Sequence, residues 1–376
     1  MSLAGSGLAW ILLALGAAAV QGPLLQARGR AVALALLSAA GLHWVLGLPW
    51  GALGVLAGGL LWILLGLRLT RGLASRRPGA AALAVFLPLL LFWALARQAL
   101  LPAGLLAFAG SAYVLVKAWT FLKDAQDGRL PGRRPEILAA YLLHLPTFPM
   151  GPMHLYGEFE AALKSPRRPG AAEGVDLAYR LLWGLVKVRL LAPLLRPFSL
   201  LAFGSLAEVP LASLPLACAA YSLVLYLDFS GFSDVACALS GAVGIPAPEN
   251  FRATFLAADP AEFWRRWHMS FTRVLTSYVF VPVSRLLQGR LPDAPTAALA
   301  ASAAFLACGF WHGAESRYLL WGLWHAAGVF ATGRLWPRAH SGPGRALGIA
   351  ATFAFVSLGW ALFAIPLAPA PTGGSP

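Results

Sequence analysis

The chain has 376 residues, of which 59% are hydrophobic and 12% charged, against roughly 45–50% and about 25% in an ordinary soluble domain. A mean hydropathy of +0.70, with 14 Trp, 39 Gly and 28 Pro, argues against a soluble globule and for an integral membrane protein, because membrane helices tolerate Gly and Pro and carry Trp at their ends. The formal charge of +14 lies in short clusters between apolar stretches, so it marks loops and anionic headgroups and not a nucleic-acid surface.

The first apolar stretch, Leu8 to Leu25, has no basic segment ahead of it and no convincing cleavage site after it, so it reads as a retained span and not a signal peptide. Arg28 and Arg30 follow. A helical hairpin is expected from Ala31 to about Gly47 and from Ala52 to Leu67 around a Leu-Pro-Trp-Gly turn at 48–51, then a basic loop with Arg68, Arg71, Arg76 and Arg77. Gly79–Ala96 and Leu100–Trp119 make the next pair, ending in the polar segment Lys123–Glu136. With the loops at 26–30, 68–78 and 120–136 cytoplasmic, the N-terminus falls outside and every basic cluster obeys the positive-inside rule. Further spans are expected at 176–195, 199–227, 229–245, 262–288, 295–311, 318–333 and 344–368. The total is on the order of ten or eleven helices, some re-entrant, in an all-α polytopic protein of the cytoplasmic (inner) membrane. The tail Pro366–Pro376 reads as a disordered terminus. Three regions are expected: N-terminal transmembrane helices over 1–120, a core over 121–345, and a last helix with its tail over 346–376.

Cys218, Cys237 and Cys308 share no CxxC spacing, and no His pair has zinc-ligand spacing, so neither a disulfide framework nor a metal is expected. Sequence motifs for a serine hydrolase, an NTPase or a dinucleotide site are also missing. The informative residues are ionisable ones at membrane depth, each costly unless it faces protein, water or a partner.

Polar residues concentrate in four stretches: Phe148–Phe159; Asp228-Phe-Ser-Gly-Phe-Ser-Asp234; Glu249-Asn250-Phe251 leading to Glu262–Ser270; and Gly309-Phe-Trp-His-Gly313 leading to Trp321-Gly-Leu-Trp-His325. The second could be a water-lined segment or a plain inter-helix turn broken at Gly231. Trp264, Trp267, Arg265 and Arg266 could form an interfacial belt, which would leave His268 without a task. His312 and His325, 13 residues apart, would stand ~20 Å apart on one helix, and Glu315-Ser316-Arg317 between them favours a turn. An imidazole in apolar surroundings suits a general base acting on a hydroxyl.

These four stretches, in this order, resemble the motifs of the membrane-bound O-acyltransferase family, in the branch of bacterial alginate O-acetyltransferases and teichoic acid D-alanyl transfer proteins. Phe148–Phe159 resembles its Phe-Pro…Gly-Pro-Ile…Phe segment, and Asp228–Asp234 its Asp-Phe-Ser-Gly-Tyr-Ser-Asp. Pro248–Phe251 with Glu262–Ser270 resembles Pro-Glu-Asn-Phe…Glu-Phe-Trp-Arg-Arg-Trp-His-Ile/Met-Ser, and Gly309–Ala314 with Trp321–His325 resembles Gly-Leu/Phe-Trp-His-Gly-Ala…Trp-Gly-x-x-His. The likeness covers about 145–330. It departs at Leu275-Thr276-Ser277-Tyr278, where the family usually carries Arg-Asp-Tyr, at 315–317, and at a C-terminus shorter by one or two helices.

The resemblance implies a helical body around a funnel or tunnel in which a cytoplasmic acyl donor meets a hydroxyl, often of an extracytoplasmic glycan. It assigns the essential histidine to His312 and its usual partner to His268, with Asp228, Ser230, Ser233, Asp234, Asn250, Trp264, Trp267, Trp311, Tyr278 and His325 as substrate-binding candidates. No bound cofactor is expected; acetyl-CoA or another acyl thioester, including an acyl carrier protein, would be the donor. A polysaccharide or other hydroxyl compound would be the acceptor, with membrane lipids and an extracytoplasmic acyltransferase as further partners. The competing readings are a transporter or acyl channel, and a noncatalytic scaffold of an envelope-modifying complex.

Overall fold

The computed structural model describes residues 14–22, 25–97, 110–130, 133–313, 315–332, 336 and 341–365. The start of the expected Leu8–Leu25 span, most of the Leu100–Trp119 span before Gly110, and the tail Pro366–Pro376 lie outside the described residues. Among the described residues the fold is helical, with no strand beyond an isolated bridge between Gln288 and Leu291. Five helices in the described residues are long and apolar enough to cross a membrane: Trp50–Leu69, Pro78–Leu95, Leu214–Val243, Asp293–His312 and Gly342–Ala364. The chain forms two compact units, one from Met1–Leu182 with Ser233–Pro248, the other from Trp183–Phe232 with Glu249–Pro376.

The first unit carries α1 (Ala27–Trp44), α2 (Trp50–Leu69), α3 (Pro78–Arg97), α4 (Ser111–Gln126), α5 (Pro135–Leu143) and α6 (Tyr156–Lys164). Pro78 and Pro135 open their helices, where a missing N–H costs nothing. Arg28 meets Glu136 at 3.4 Å, and Gln126 Nε2 donates to Thr70 Oγ1 at 2.8 Å. The α2–α3 loop and the segments flanking α1 and α5 therefore gather at one end of this unit, and with them the basic clusters.

Phe121, Ile137, Leu138, Tyr141, Tyr156 and Phe159 form its buried centre. A polar cluster runs through it: Lys117 Nζ donates to Tyr141 O at 3.0 Å, Tyr141 OH to His154 O at 3.1 Å, and His154 Nε2 lies 3.2 Å from Pro246 O. His144 Nε2 stands 2.8 Å from Ser240 Oγ, and the Ser240 hydroxyl donates to Ile245 O. With its proton committed there, Ser240 accepts from His144, so His144 carries its hydrogen on Nε2. The Phe148–Phe159 motif thus helps build this unit. At Gly151, with φ +77°, a Cβ would come within 2.9 Å of the Tyr113 ring.

α7 (Ala171–Val186) continues through a π turn over Lys187–Leu191. α8 (Leu214–Val243) follows as one 30-residue helix, about 45 Å long and so longer than the ~30 Å hydrocarbon layer. It passes without interruption through Asp228–Asp234, which corrects the expectation of spans at 199–227 and 229–245 separated there. Ser199–Glu208 instead forms short 3₁₀ turns. Gly231 does not break the helix; a Cβ there would stand 2.7 Å from Val188 Cγ2 and 2.8 Å from Gly184 O, so the glycine allows close packing.

The second unit is completed by α9 (Pro260–Arg266), α10 (Met269–Leu275), a π turn over Thr276–Phe280, α11 (Val281–Leu287), α12 (Asp293–His312), α13 (Ser316–Ala331) and α14 (Gly342–Ala364). The single span expected over 262–288 is broken at His268, whose φ of +46° lies in the left-handed region and cannot continue a right-handed helix.

Candidate active site

The break at His268 is held from both sides. Asp259 caps α9 by accepting from Glu262 N at 2.6 Å, Glu262 Oε2 accepts from Ala258 N, and Arg266 Nη2 donates to Glu262 Oε1 at 2.6 Å. Arg266 O accepts from Thr254 Oγ1 at 2.9 Å and Arg252 N at 3.1 Å. Glu262 and Arg266 therefore fix the 250–258 loop against α9, and that loop delivers Asn250. Trp267 packs into the same scaffold, stacked on Phe263 at 5.6 Å and edge-on to Phe251 at 5.0 Å.

Asn250 is 1% exposed. Its Oδ1 lies 2.6 Å from Ser270 Oγ, 3.3 Å from Ser270 N and 3.2 Å from His268 Nδ1. A backbone N–H can only donate, so the atom facing it is the amide oxygen, and His268 Nδ1 must be the protonated nitrogen. A neutral His268 then presents Nε2 as its basic, accepting nitrogen. The ring stands edge-on to Phe229 at 4.6 Å and 5.1 Å from the Phe271 ring.

His312 is the last residue of α12, where aligned backbone carbonyls favour positive charge. It is reached from His268 through a chain of rings: Phe271 to Trp311 at 4.6 Å and Trp311 to His312 at 4.5 Å. Phe363 at 4.7 Å, Trp321 at 5.7 Å and Tyr318 at 6.2 Å also face it. The helix does end between the two histidines as expected, but α13 already starts at Ser316 with Glu315 as its N-cap, and Arg317 is bonded to Glu315 at 2.7 Å, to Tyr318 OH at 3.0 Å and to Phe363 O at 3.3 Å. The α12–α13 crossing is close because both faces carry glycine: a Cβ on Gly309 would run into Tyr318 O, and one on Gly322 would lie 2.6 Å from Phe305 O.

That hairpin folds His325 back so that it shares Trp321 with His312, at 4.9 Å. His325 is fully buried among Trp264, Trp321 and Trp360, and neither ring nitrogen has a hydrogen-bond partner. A Cβ on Gly359 would lie 2.8 Å from His325 Nε2, so that nitrogen is packed against backbone. The cage makes His325 and Trp264 architectural neighbours of the His312 ring.

Of the remaining candidates, Asp228 pairs through Oδ2 with Arg196 Nη2 at 2.9 Å, while its Oδ1 and Ser230 Oγ are buried without partners. Tyr278 is buried on the π turn after α10. Ser233 and Asp234 belong to the first unit, where Asp234 accepts from Arg180 Nε at 3.0 Å. Sequence reasoning did not select Ser270, Arg196 or Arg180. A carboxylate at membrane depth demands a cation, but the sequence does not say which one reaches it.

Residues 89–360 match the model of MBOAT, the membrane-bound O-acyltransferase family. The chain belongs to that family. It is 26% identical to a teichoic acid D-alanyltransferase of Bacillus subtilis, over 60% of this chain and 58% of that one. It is also 26% identical to a probable alginate O-acetylase of Pseudomonas syringae, over 68% and 48%. A peptidoglycan O-acetyltransferase of Helicobacter pylori is 33% identical over 38% of this chain and 27% of its own. The chain thus spans about half the length of the first two of these curated relatives. In this member of the family, His268, His312 and His325 all lie within the second unit.

Proposed function

We propose that the protein moves an acyl group, an acetyl group above all, from a cytoplasmic thioester to a hydroxyl of a cell-envelope or exported polysaccharide. The observation that carries this reading is the aromatic-walled pair of His268, oriented by Asn250, and His312, at a helix C-terminus, in a chain of this family. The relatives' names point to envelope polymers as acceptors: teichoic acid, alginate and peptidoglycan.

In the proposed reaction His312 accepts the proton of the acceptor hydroxyl as its oxygen attacks the thioester carbonyl carbon. The tetrahedral intermediate collapses to the ester, the carbon–sulfur bond breaks, and the leaving thiolate takes the proton back from the imidazolium. The C-terminal end of α12 favours that imidazolium while it exists. His268, with Nδ1–H committed to Asn250, offers an accepting Nε2 when neutral, so it can donate to the oxyanion only in its doubly protonated form. Asp228, Ser230, Trp311 and Tyr278 are the proposed binding groups of the second unit, with Trp264, Trp267 and His325 supporting them.

The donor is acetyl-CoA or an acyl carrier protein, and an extracytoplasmic acyltransferase can take the group onward. The basic clusters gathered at one end of the first unit support a cytoplasmic placing of that end, hence an external N-terminus in the inner membrane. The five apolar helices support a polytopic membrane protein, for which ten or eleven crossings or re-entrant segments are the proposed total. The proposed regions are N-terminal helices over 1–120, the transferase core over 121–345, and a final helix and tail.

The test is thioester consumption by purified protein in nanodiscs with acetyl-CoA and candidate glycans. His312→Ala is expected to lose donor turnover, by at least the ~10²–10⁴-fold that general-base catalysis supplies. No turnover with any donor, from a well-folded wild type, would favour a scaffold instead.

A further inference from the structure

A cavity of about 500 Å³ lies in the first unit, apart from the histidines, between α2, α3, α4 and α5, with Ala39 of α1 also on its wall. Leu56, Gly58 and Ile63 line it from α2, Leu89 and Trp93 from α3, and Leu115 from α4. The indole N–H of Trp62, also on its wall, is spent on Val85 O at 2.8 Å. An apolar cavity of ~150 Å³ already stays dry and takes up benzene, so this one has room for roughly three such units of hydrocarbon. Its walls are almost wholly apolar, so they offer their dispersion contacts to hydrocarbon and nothing to a polar ligand.

Two of its walls, α2 and α3, are helices apolar and long enough to cross a membrane, so lipid is the hydrocarbon at hand. The last turn of α2 carries Arg68 and the connection to α3 carries Arg71, Arg76 and Arg77, all exposed. No Asp or Glu occurs in the sequence before Asp124. From Arg68 back to Gly58 is ten residues of helix, about 15 Å, which is half of the ~30 Å hydrocarbon thickness. A chain hanging from a phosphate at the arginines therefore ends at the Gly58 level. Gly58 leaves that space open, since a Cβ there would meet nothing within 4 Å.

We propose that this cavity holds one acyl chain of an anionic phospholipid whose phosphate is bound by the Arg68–Arg77 loop. The positive loop selects the headgroup and the cavity takes the tail.

The experiment places the full chain in nanodiscs of phosphatidylglycerol and phosphatidylethanolamine in equal parts, with one or the other carrying a photoactivatable diazirine on its acyl chain. Crosslinks are mapped by mass spectrometry. The phosphatidylglycerol probe is expected to label the facing walls of α2, α3 and α4, and Gly58→Leu or Ala57→Leu, which fill the cavity, to cut that labelling about tenfold. Gly54→Leu is the matched control: it sits on the same helix, its Cβ also meets nothing within 4 Å, and it lies off the cavity wall. Replacing the four arginines by glutamine is expected to erase the preference for phosphatidylglycerol. Equal labelling by both lipids in the wild type, unchanged labelling in both filling variants, or the same loss in the Gly54 control would overturn the proposal.

Discussion

The sharpest consequence of the site concerns Asn250, which is not proposed to touch the reacting atoms. Its side-chain oxygen accepts from the Ser270 hydroxyl, the Ser270 N–H and His268 Nδ1. Asn250→Ala removes all three bonds at a position 1% exposed. The Ser270 hydroxyl can turn elsewhere, but its backbone N–H and the His268 N–H are fixed, and a buried donor left unpaired costs about 1–3 kcal/mol. A stability loss of about 2–4 kcal/mol is expected on those grounds. The larger effect is chemical. Without the acceptor the bond that selects the Nδ1–H tautomer and fixes the ring's rotation is lost, and misplacement of about 1 Å at a reacting group costs on the order of 10²-fold.

Thioester turnover in Asn250→Ala should therefore fall about 10²-fold in kcat, while donor KM changes little because the residue holds a histidine and not the substrate. Asn250→Asp keeps an accepting oxygen in the same place and should keep the tautomer, so it should be the milder change. The ring ¹⁵N shifts of His268 report the tautomer directly and separate positioning from mere loss of stability. Full turnover in a folded Asn250→Ala, or an Asp variant as damaged as the Ala variant with the tautomer preserved, would refute the reasoning.

Gly322→Ala puts a methyl 2.6 Å from Phe305 O, and overpacking of that kind costs about 1–3 kcal/mol; a lower unfolding temperature together with reduced turnover is expected, because the same crossing sets His312 against Trp321. His144 carries a pH prediction. Burial, with His154 and Lys117 adding to it, holds its ring well below the ordinary histidine range. The folded ring thus stays neutral where the unfolded one, near pH 6.5, takes a proton, and stability falls with pH below that value by up to about 1.4 kcal/mol per unit. His144→Gln keeps a donor for Ser240 and cannot titrate, so thermal unfolding followed from pH 7 to pH 5 should show a shallower decline; an unchanged slope would show that His144 does not titrate on unfolding.

Hydropathy located the helices well where a helix is apolar along its whole length: Trp50–Leu69, Pro78–Arg97 and Asp293–His312 lie within a few residues of expectation. It failed where backbone geometry and polarity disagree. The polar Asp228–Asp234 segment suggested a break, yet a helix satisfies its own backbone whatever its side chains, and Gly231 is there for close packing against Gly184 and Val188. The apolar 262–288 stretch suggested continuity, yet one left-handed residue, His268, ends α9 and starts α10. A positive φ on a histidine leaves no composition signal. Asn250 and His268 were each legible as candidates, but their contact depends on the loop that Glu262 and Arg266 brace.

Three histidines of one type, in similarly aromatic surroundings, end with three different capacities, and hydrogen bonding decides which. His325 has no partner for either nitrogen and has Gly359 packed against Nε2, so no substrate atom can approach that nitrogen without moving α14. His268 is committed on one side and basic on the other, which is what a proton acceptor of fixed orientation requires. His312 stands at the C-terminal end of α12, half-buried, with the helix carbonyls behind it. A base that must take a proton and return it within one turnover needs both access and a surrounding that tolerates the charge. Among the three, only His312 combines them. If His325→Phe, which keeps the cage filled, abolished turnover as completely as His312→Ala in equally stable proteins, that assignment would be wrong, because packing alone would then not account for His325.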